Sequence, residues 1–332
     1  MNFGYFIPTF GLYEEPNWNV IKDHFLIVDK SPFNSAWIAD HFVWGINNAM
    51  LECWTLLTAL ASLTERVRIG CGMLCQSYRN PALVAKMGAT LDLISKGRLE
   101  FGLGAGWKKD EYIQYGFDYP HYKVRAEQLR EALTIVRSLW TKDKVTYNGK
   151  YYKVKDAVCE PKPLQKPYPP LWVGGSGDEV LRITAEFADG WDAPASDPSG
   201  VGGGGIWATD STLFNSLTKL ENYCKEFGRD FKRIQKSMNI WICISENESK
   251  LMDLFLKWRK ALKSIKPYSE LIKGEITLES AKRNCIFGTP NDCIEKIKSF
   301  KEIGLTQLVL GFADYPSIEG FELFIKRVAP KF

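Results

Sequence analysis

The sequence predicts an α/β fold, a closed (β/α)8 barrel built as one domain over residues 1–332, and three observations carry that reading. Short apolar runs alternate with segments of helical period from one end to the other, the pattern of a parallel sheet covered by helices. A length of 332 residues suits one α/β barrel. No composition break or internal repeat divides the chain.

The elements follow in order. Residues 3–7 form the first apolar run, closed by Pro8, and residues 35–39 the second, followed at once by Asp40 and His41. Cys53, Leu56, Leu57, Leu60 and Leu63 repeat at helical spacing before a third strand over 67–74. Asn80 and Pro81 open a helix as N-cap and first helical residue, with Val84, Met87, Leu91 and Ile94 as its expected buried stripe. Leu99, Phe101 and Leu103 alternate through the fourth strand. Between the fourth and fifth strands lies an insertion, a long helix (Leu129 to Trp140) and a β-hairpin expected to turn at Asn148-Gly149. Leu171-Trp172-Val173 then runs into Gly174-Gly175-Ser176-Gly177 and a helix from Asp178. Gly202 to Gly205, after the sixth strand region, reads as a mobile loop and a potential lid. Leu213 to Phe227, stopped by Gly228, and residues 249–265 are helices around a strand at 238–244. Thr289-Pro290 starts the last helix, Gly304 ends it, and residues 307–312 form the last strand.

Composition excludes several classes. With 45% hydrophobic and 25% charged residues the chain is globular. Its 43 basic and 39 acidic residues leave a formal charge of +4 without a basic run, so neither nucleic acid nor a membrane surface is the expected partner. No stretch is apolar enough to span a membrane, and the N-terminus lacks a secretion signal. Eight cysteines without a Cys-x-x-Cys pair, beside three histidines, predict no metal site and a reduced, cytoplasmic protein.

In such a barrel the carboxyl ends of the strands carry the site, and four places qualify. Asp40-His41 follows the second strand: an imidazole there suits proton transfer, although Asp40 serves equally as a helix cap. Gly72 and Met73, with Cys75 beyond, close the third strand, where a glycine marks either a bulge or barrel packing. Gly102 to Trp107 lacks the third glycine of a dinucleotide fingerprint, and its small residues either admit a flat ligand or fill the barrel. Gly174, Gly175, Ser176 and Gly177, between strand and helix, offer backbone N–H groups to a phosphate. Together they point to a flat, phosphate-bearing cofactor under a histidine.

These motifs in this order resemble the luciferase-like flavin and deazaflavin oxidoreductases: residues 37–42 (WIADHF), Arg79-Asn80-Pro81, residues 90–99 (TLDLISKGRL), Gly102 to Trp107, residues 169–175 (PPLWVGG), Ala188 to Trp191 and Gly288-Thr289-Pro290. The arrangement is most similar to the branch that uses coenzyme F420. The resemblance implies a luciferase-type barrel, usually a homodimer, acting on a small molecule. His41 would be the catalytic proton donor, and Asp40 a cofactor contact beside it. Gly72-Met73 would form a bulge, often cis, behind the ring, with Cys75 next to it. Ala105, Gly106 and Asp110 would contact the ring or tail, and residues 174–177 the phosphate. Trp44 and Trp107 would line the substrate pocket. The family's sugar-phosphate dehydrogenases carry a glutamate where this chain has Trp107, and Glu111 lies four residues further on, too far to replace it. The expected function is therefore hydride transfer between F420 and a small organic substrate. An FMN-dependent monooxygenase and a non-catalytic flavin-binding protein are the alternatives.

Overall fold

A computed structural model describes residues 1–195 and 210–332. Eight parallel strands close into a barrel: β1 (Asn2–Phe6), β2 (Ser35–Ile38), β3 (Arg68–Cys71), β4 (Leu99–Gly104), β5 (Leu171–Gly174), β6 (Gly190–Ala193), β7 (Gln235–Ile244) and β8 (Gln307–Phe312). Each pairs with the next, and β8 returns to β1 with Gln307 opposite Asn2. The helices are α1 (Trp18–Asp29), α2 (Cys53–Leu63), α3 (Pro81–Ile94), α4 (Lys109–Gln114), α5 (Tyr122–Thr141), α6 (Asp178–Phe187), α7 (Asp210–Glu226), α8 (Glu248–Ser264), α9 (Pro290–Ile303) and α10 (Glu319–Arg327), beside two short ones at Tyr268–Leu271 and Leu278–Asn284. No described helix is long and apolar enough to cross a membrane.

The strands bury aliphatic side chains outward against the helices, while the barrel interior is built from large aromatics facing glycines. A Cβ at Gly70 would lie 2.5 Å from the Trp37 ring, and one at Gly190 would lie 2.3 Å from Trp172. Trp37 and Trp172 meet edge to face with centroids 5.3 Å apart. Below them Trp172 Nε1 donates to Glu100 Oε2 at 2.5 Å, and Glu100 pairs with Arg68. The interior is a packed plug, and ligand space is confined to the strands' carboxyl rim.

Capping follows the sequence closely. Asn80 Oδ1 accepts from Ala82 N–H ahead of Pro81, Thr289 and Asp292 form a capping box, and Gly304 ends α9 at φ 108°. Three expectations need correction. The third strand ends at Cys71; the Gly72–Met73 peptide is cis, and Leu74–Cys75 pair separately with β4. In α3, Val84 and Leu91 are buried, but Met87 is only partly buried and Ile94 is 40% exposed, because Leu83, Met87 and Ile94 share an outward stripe. The hairpin strands Val145–Asn148 and Lys153–Ala157 turn at Lys150-Tyr151 instead of Asn148-Gly149. The Glu131 carboxylate draws the turn two residues on by accepting from the N–H groups of Lys150, Tyr151 and Tyr152. The Gly202–Gly205 run lies outside the described residues.

Candidate active site

His41 follows β2 on the carboxyl rim, and its neighbours fix its chemistry. Its Nδ1 lies 2.9 Å from Glu111 Oε2, a carboxylate with no exposed side-chain surface. Glu111 also accepts from Tyr78 O–H at 2.9 Å and from the N–H groups of Phe42 and Val43 at 3.1 Å each, and Lys108 Nζ lies 3.6 Å away. Burial pushes the Glu111 carboxyl up, but the His41 hydrogen bond and charge, the Val43 N–H and Lys108 outweigh it and hold it below the ordinary range. An ionised carboxylate only accepts, so His41 Nδ1 carries a proton and Nε2 remains for a ligand.

Trp44 and Trp107 stand against that imidazole, with centroids 4.4 and 5.4 Å away. Phe10 and Tyr268 close the other side of Trp44, at 5.6 and 5.3 Å. Trp44 is 8% exposed, and its Nε1–H has no partner among the described residues. A buried donor left unmade in an aromatic box beside an imidazole is a place for a ligand oxygen.

Asp40 does different work from its neighbour. Oδ2 accepts from Arg79 Nη1 at 2.7 Å and Cys75 N–H at 2.9 Å, and Oδ1 accepts from Arg79 Nη2 at 2.9 Å. Arg79 also donates to Glu52, the N-cap of α2. Asp40 thus braces the segment leaving the bulge. The Met73 side chain lies over the glycines of β4 and β5: a Cβ at Gly102 would be 2.6 Å from its Sδ, and one at Gly174 2.7 Å from its Cγ. A Cβ at Gly72 would meet only the Trp37 ring, at 3.5 Å, so the bulge presents an open, flat face. Cys75 Sγ is 3.0 Å from Tyr112 O–H under Gly106, and burial pushes its thiol up to about 12, which makes it an inert packing group. Ala105 is buried beside it. Asp110 is half exposed and paired with Lys108 at 2.6 Å.

Residues 174–177 are all partly exposed. Gly175 N–H donates to Asp192 O at 3.2 Å, while the N–H groups of Ser176 and Gly177 meet no protein acceptor among the described residues. They open the N-terminus of α6, where the helix dipole favours an anion. This loop and His41 share the carboxyl rim. The structure brings His41, Trp44 and Trp107 together, and Met73 with Gly174. Glu111 and Lys108 were missed as site residues. Four positions past Trp107 is about one helical turn, and the Lys108–Glu111 i,i+3 spacing was the available signal.

A family model described as luciferase-like monooxygenase matches residues 1–307. The chain belongs to that family. Luciferase-like relatives include the F420-dependent glucose-6-phosphate dehydrogenase of Segniliparus rotundus, 27% identical over 96% of this chain and 95% of its own length. Among solved structures, an F420-dependent secondary alcohol dehydrogenase in complex with an F420-acetone adduct superposes with a TM-score of 0.80, at 26% identity over 98% of both chains. A monooxygenase from Streptomyces bottropensis shares the fold at TM-score 0.80 and 20% identity, over 100% of this chain and 99% of its own. The chain is a luciferase-like oxidoreductase.

Proposed function

We propose that this oxidoreductase transfers hydride between the deazaflavin coenzyme F420 and a small alcohol or ketone. The observation that carries the reading is the His41–Glu111 pair on the same rim as a glycine loop whose Ser176 and Gly177 amides meet no acceptor among the described residues. Its support is the likeness to two F420-dependent relatives. The residues fit such a cofactor: Gly72 leaves the bulge with an open, flat face, and Ser176 and Gly177 offer N–H groups to a phosphate.

Bound F420 supplies the hydride acceptor or donor. The protein's residues do the rest. In alcohol oxidation His41 Nε2 would take the hydroxyl proton, and in ketone reduction it would return that proton. Glu111 stabilises the imidazolium so formed, and Trp44 Nε1–H holds the substrate oxygen. Phe10, Trp107 and Tyr268 exclude water. Asp40, Cys75, Ala105 and Gly106 back the ring site, and Asp110 flanks its tail. With Trp107 where a sugar-phosphate enzyme has a carboxylate, the aromatic wall suits an apolar substrate. A homodimer is the expected state, with Leu63 on α2 and Leu83 and Ile94 on α3 as exposed apolar surface for it.

Titration with F420 and with FMN, followed by turnover on a panel of short secondary alcohols and their ketones, tests the reading. Tight F420 binding with turnover supports it; affinity for FMN alone, with oxygen-dependent product, overturns it in favour of a monooxygenase. A His41→Ala variant with unchanged binding and full turnover removes His41 from the mechanism.

A further inference from the structure

On β6, Gly190 and Asp192 share a face, and the Cβ position of Gly190 points into the Trp172 ring inside the barrel. Asp192 therefore points inward too, one layer nearer the rim. In that layer Gly174 of β5 and Ser237 of β7 stand beside it in register. Next to Gly174 lies the Met73 side chain from the bulge. Asp192 is thus a carboxyl group in the layer where β5, β6 and the bulge meet, and it belongs to no role assigned above.

Its surroundings are unusual for an acid. Ser237 stands opposite it on β7, Gly174 and the Met73 side chain lie on its β5 side, and no ion pair to it is present among the described residues. Burial pushes its carboxyl up to about 7, and the Ser237 hydroxyl offsets only part of that. Part of its surface stays open, in contrast to its buried neighbours Trp191 and Ala193. A crowded acid with one open side and no ion pair holds its proton up to about pH 7. A protonated carboxyl presents one donor and one acceptor side by side, whereas the ionised form presents acceptors only.

The matching partner is an imide edge, an N–H next to a C=O, which closes two parallel hydrogen bonds with a protonated carboxyl. The pyrimidinedione of a flavin or deazaflavin carries that edge. We propose that Asp192, protonated, is the polar contact for the imide edge of the bound ring, reading it from the β6 side of the mouth. This inference rests on the F420 reading only for the choice of ligand, because FMN has the same edge. No atom is transferred; the proton stays on Asp192.

The test compares ring binding by the full chain and by two variants across pH 5.5–8.5, followed by fluorescence. Wild-type affinity for F420 is expected to fall by about tenfold per pH unit above 7, as the donor is lost. Asp192→Asn keeps a donor and an acceptor, so its affinity at pH 6 should match wild type and its pH profile should flatten. Asp192→Ala should bind at least tenfold more weakly at pH 6. The titration of the ligand itself is common to all three proteins and cancels. A protonated-carboxyl band in the infrared difference spectrum, present in wild type and lost in Asp192→Asn, gives a readout independent of binding. Identical pH profiles for wild type and Asp192→Asn overturn the proposal while leaving the F420 reading intact. Binding of FMN but not F420 overturns the F420 reading, and the same comparison with FMN then decides Asp192. Binding of neither overturns both.

Discussion

His41 Nδ1 and Glu111 Oε2 stand 2.9 Å apart, joining the end of β2 to the first turn of α4. This pair fixes which imidazole nitrogen stays free and holds two rim segments together, and under the proposed reaction it would set the proton path. Replacing Glu111 by Gln should leave the fold intact but release that constraint. We expect His41 to become a mixture of neutral tautomers by 15N NMR, and turnover to fall by about 10²-fold with KM little changed. Retention of the single Nδ1–H tautomer would show that something else orients the ring.

Two buried carboxyls should push stability in opposite directions with pH. The Glu111 pKa is held below its ordinary value, so its contribution is complete above the ordinary carboxylate range and is lost as pH falls through the folded value. The Asp192 pKa is raised to about 7, so the native state holds a proton that the unfolded chain releases near 4, and stability declines as pH rises between those values. Thermal melts at pH 8 should therefore show Asp192→Asn several degrees above wild type. Melts below pH 5 should show a flatter acid slope for Glu111→Gln.

Ser176→Asp places a negative charge beside amides that have no protein acceptor among the described residues. F420 affinity should weaken by tenfold or more and regain part of the loss at high salt, while the melting temperature stays within about 2 °C of wild type. Equal affinity would move the phosphate elsewhere on the rim.

Gly70→Ala tests the filled interior. The added methyl group would lie 2.5 Å from Trp37, which is itself wedged against Trp172, so neither ring has room to retreat. The expected cost is about 2–3 kcal/mol by chemical denaturation. A neutral result would mean the aromatic layer is loosely packed.

The fold was legible because its signals are local. Asn80-Pro81, Thr289-Pro290 and the alternating β4 run each obey short-range rules, and strand–helix alternation specifies the rest. The rim glycines and His41 were legible for the same reason: each follows an apolar run. What escaped the sequence depends on distant segments meeting. That Asp40 is braced by Arg79 on both its oxygens is one such meeting. Glu111 was set aside by counting residues along the chain, whereas the turn into α4 carries it back to His41. The hairpin's Asn-Gly pair was outcompeted by Glu131, a side chain from another element. Asp192 follows no motif at all, and its character comes wholly from what surrounds it.

The tryptophan-and-glycine plug beneath the rim has a further consequence. Because the centre of the barrel is full, a ligand cannot sink deeper to accommodate a longer tail or a second ring, so every change of substrate must be made by loops above the strands. The chassis and the selectivity of this enzyme are therefore mechanically separate, and exchanging rim segments around His41 is a route to new substrates that leaves the foundation untouched.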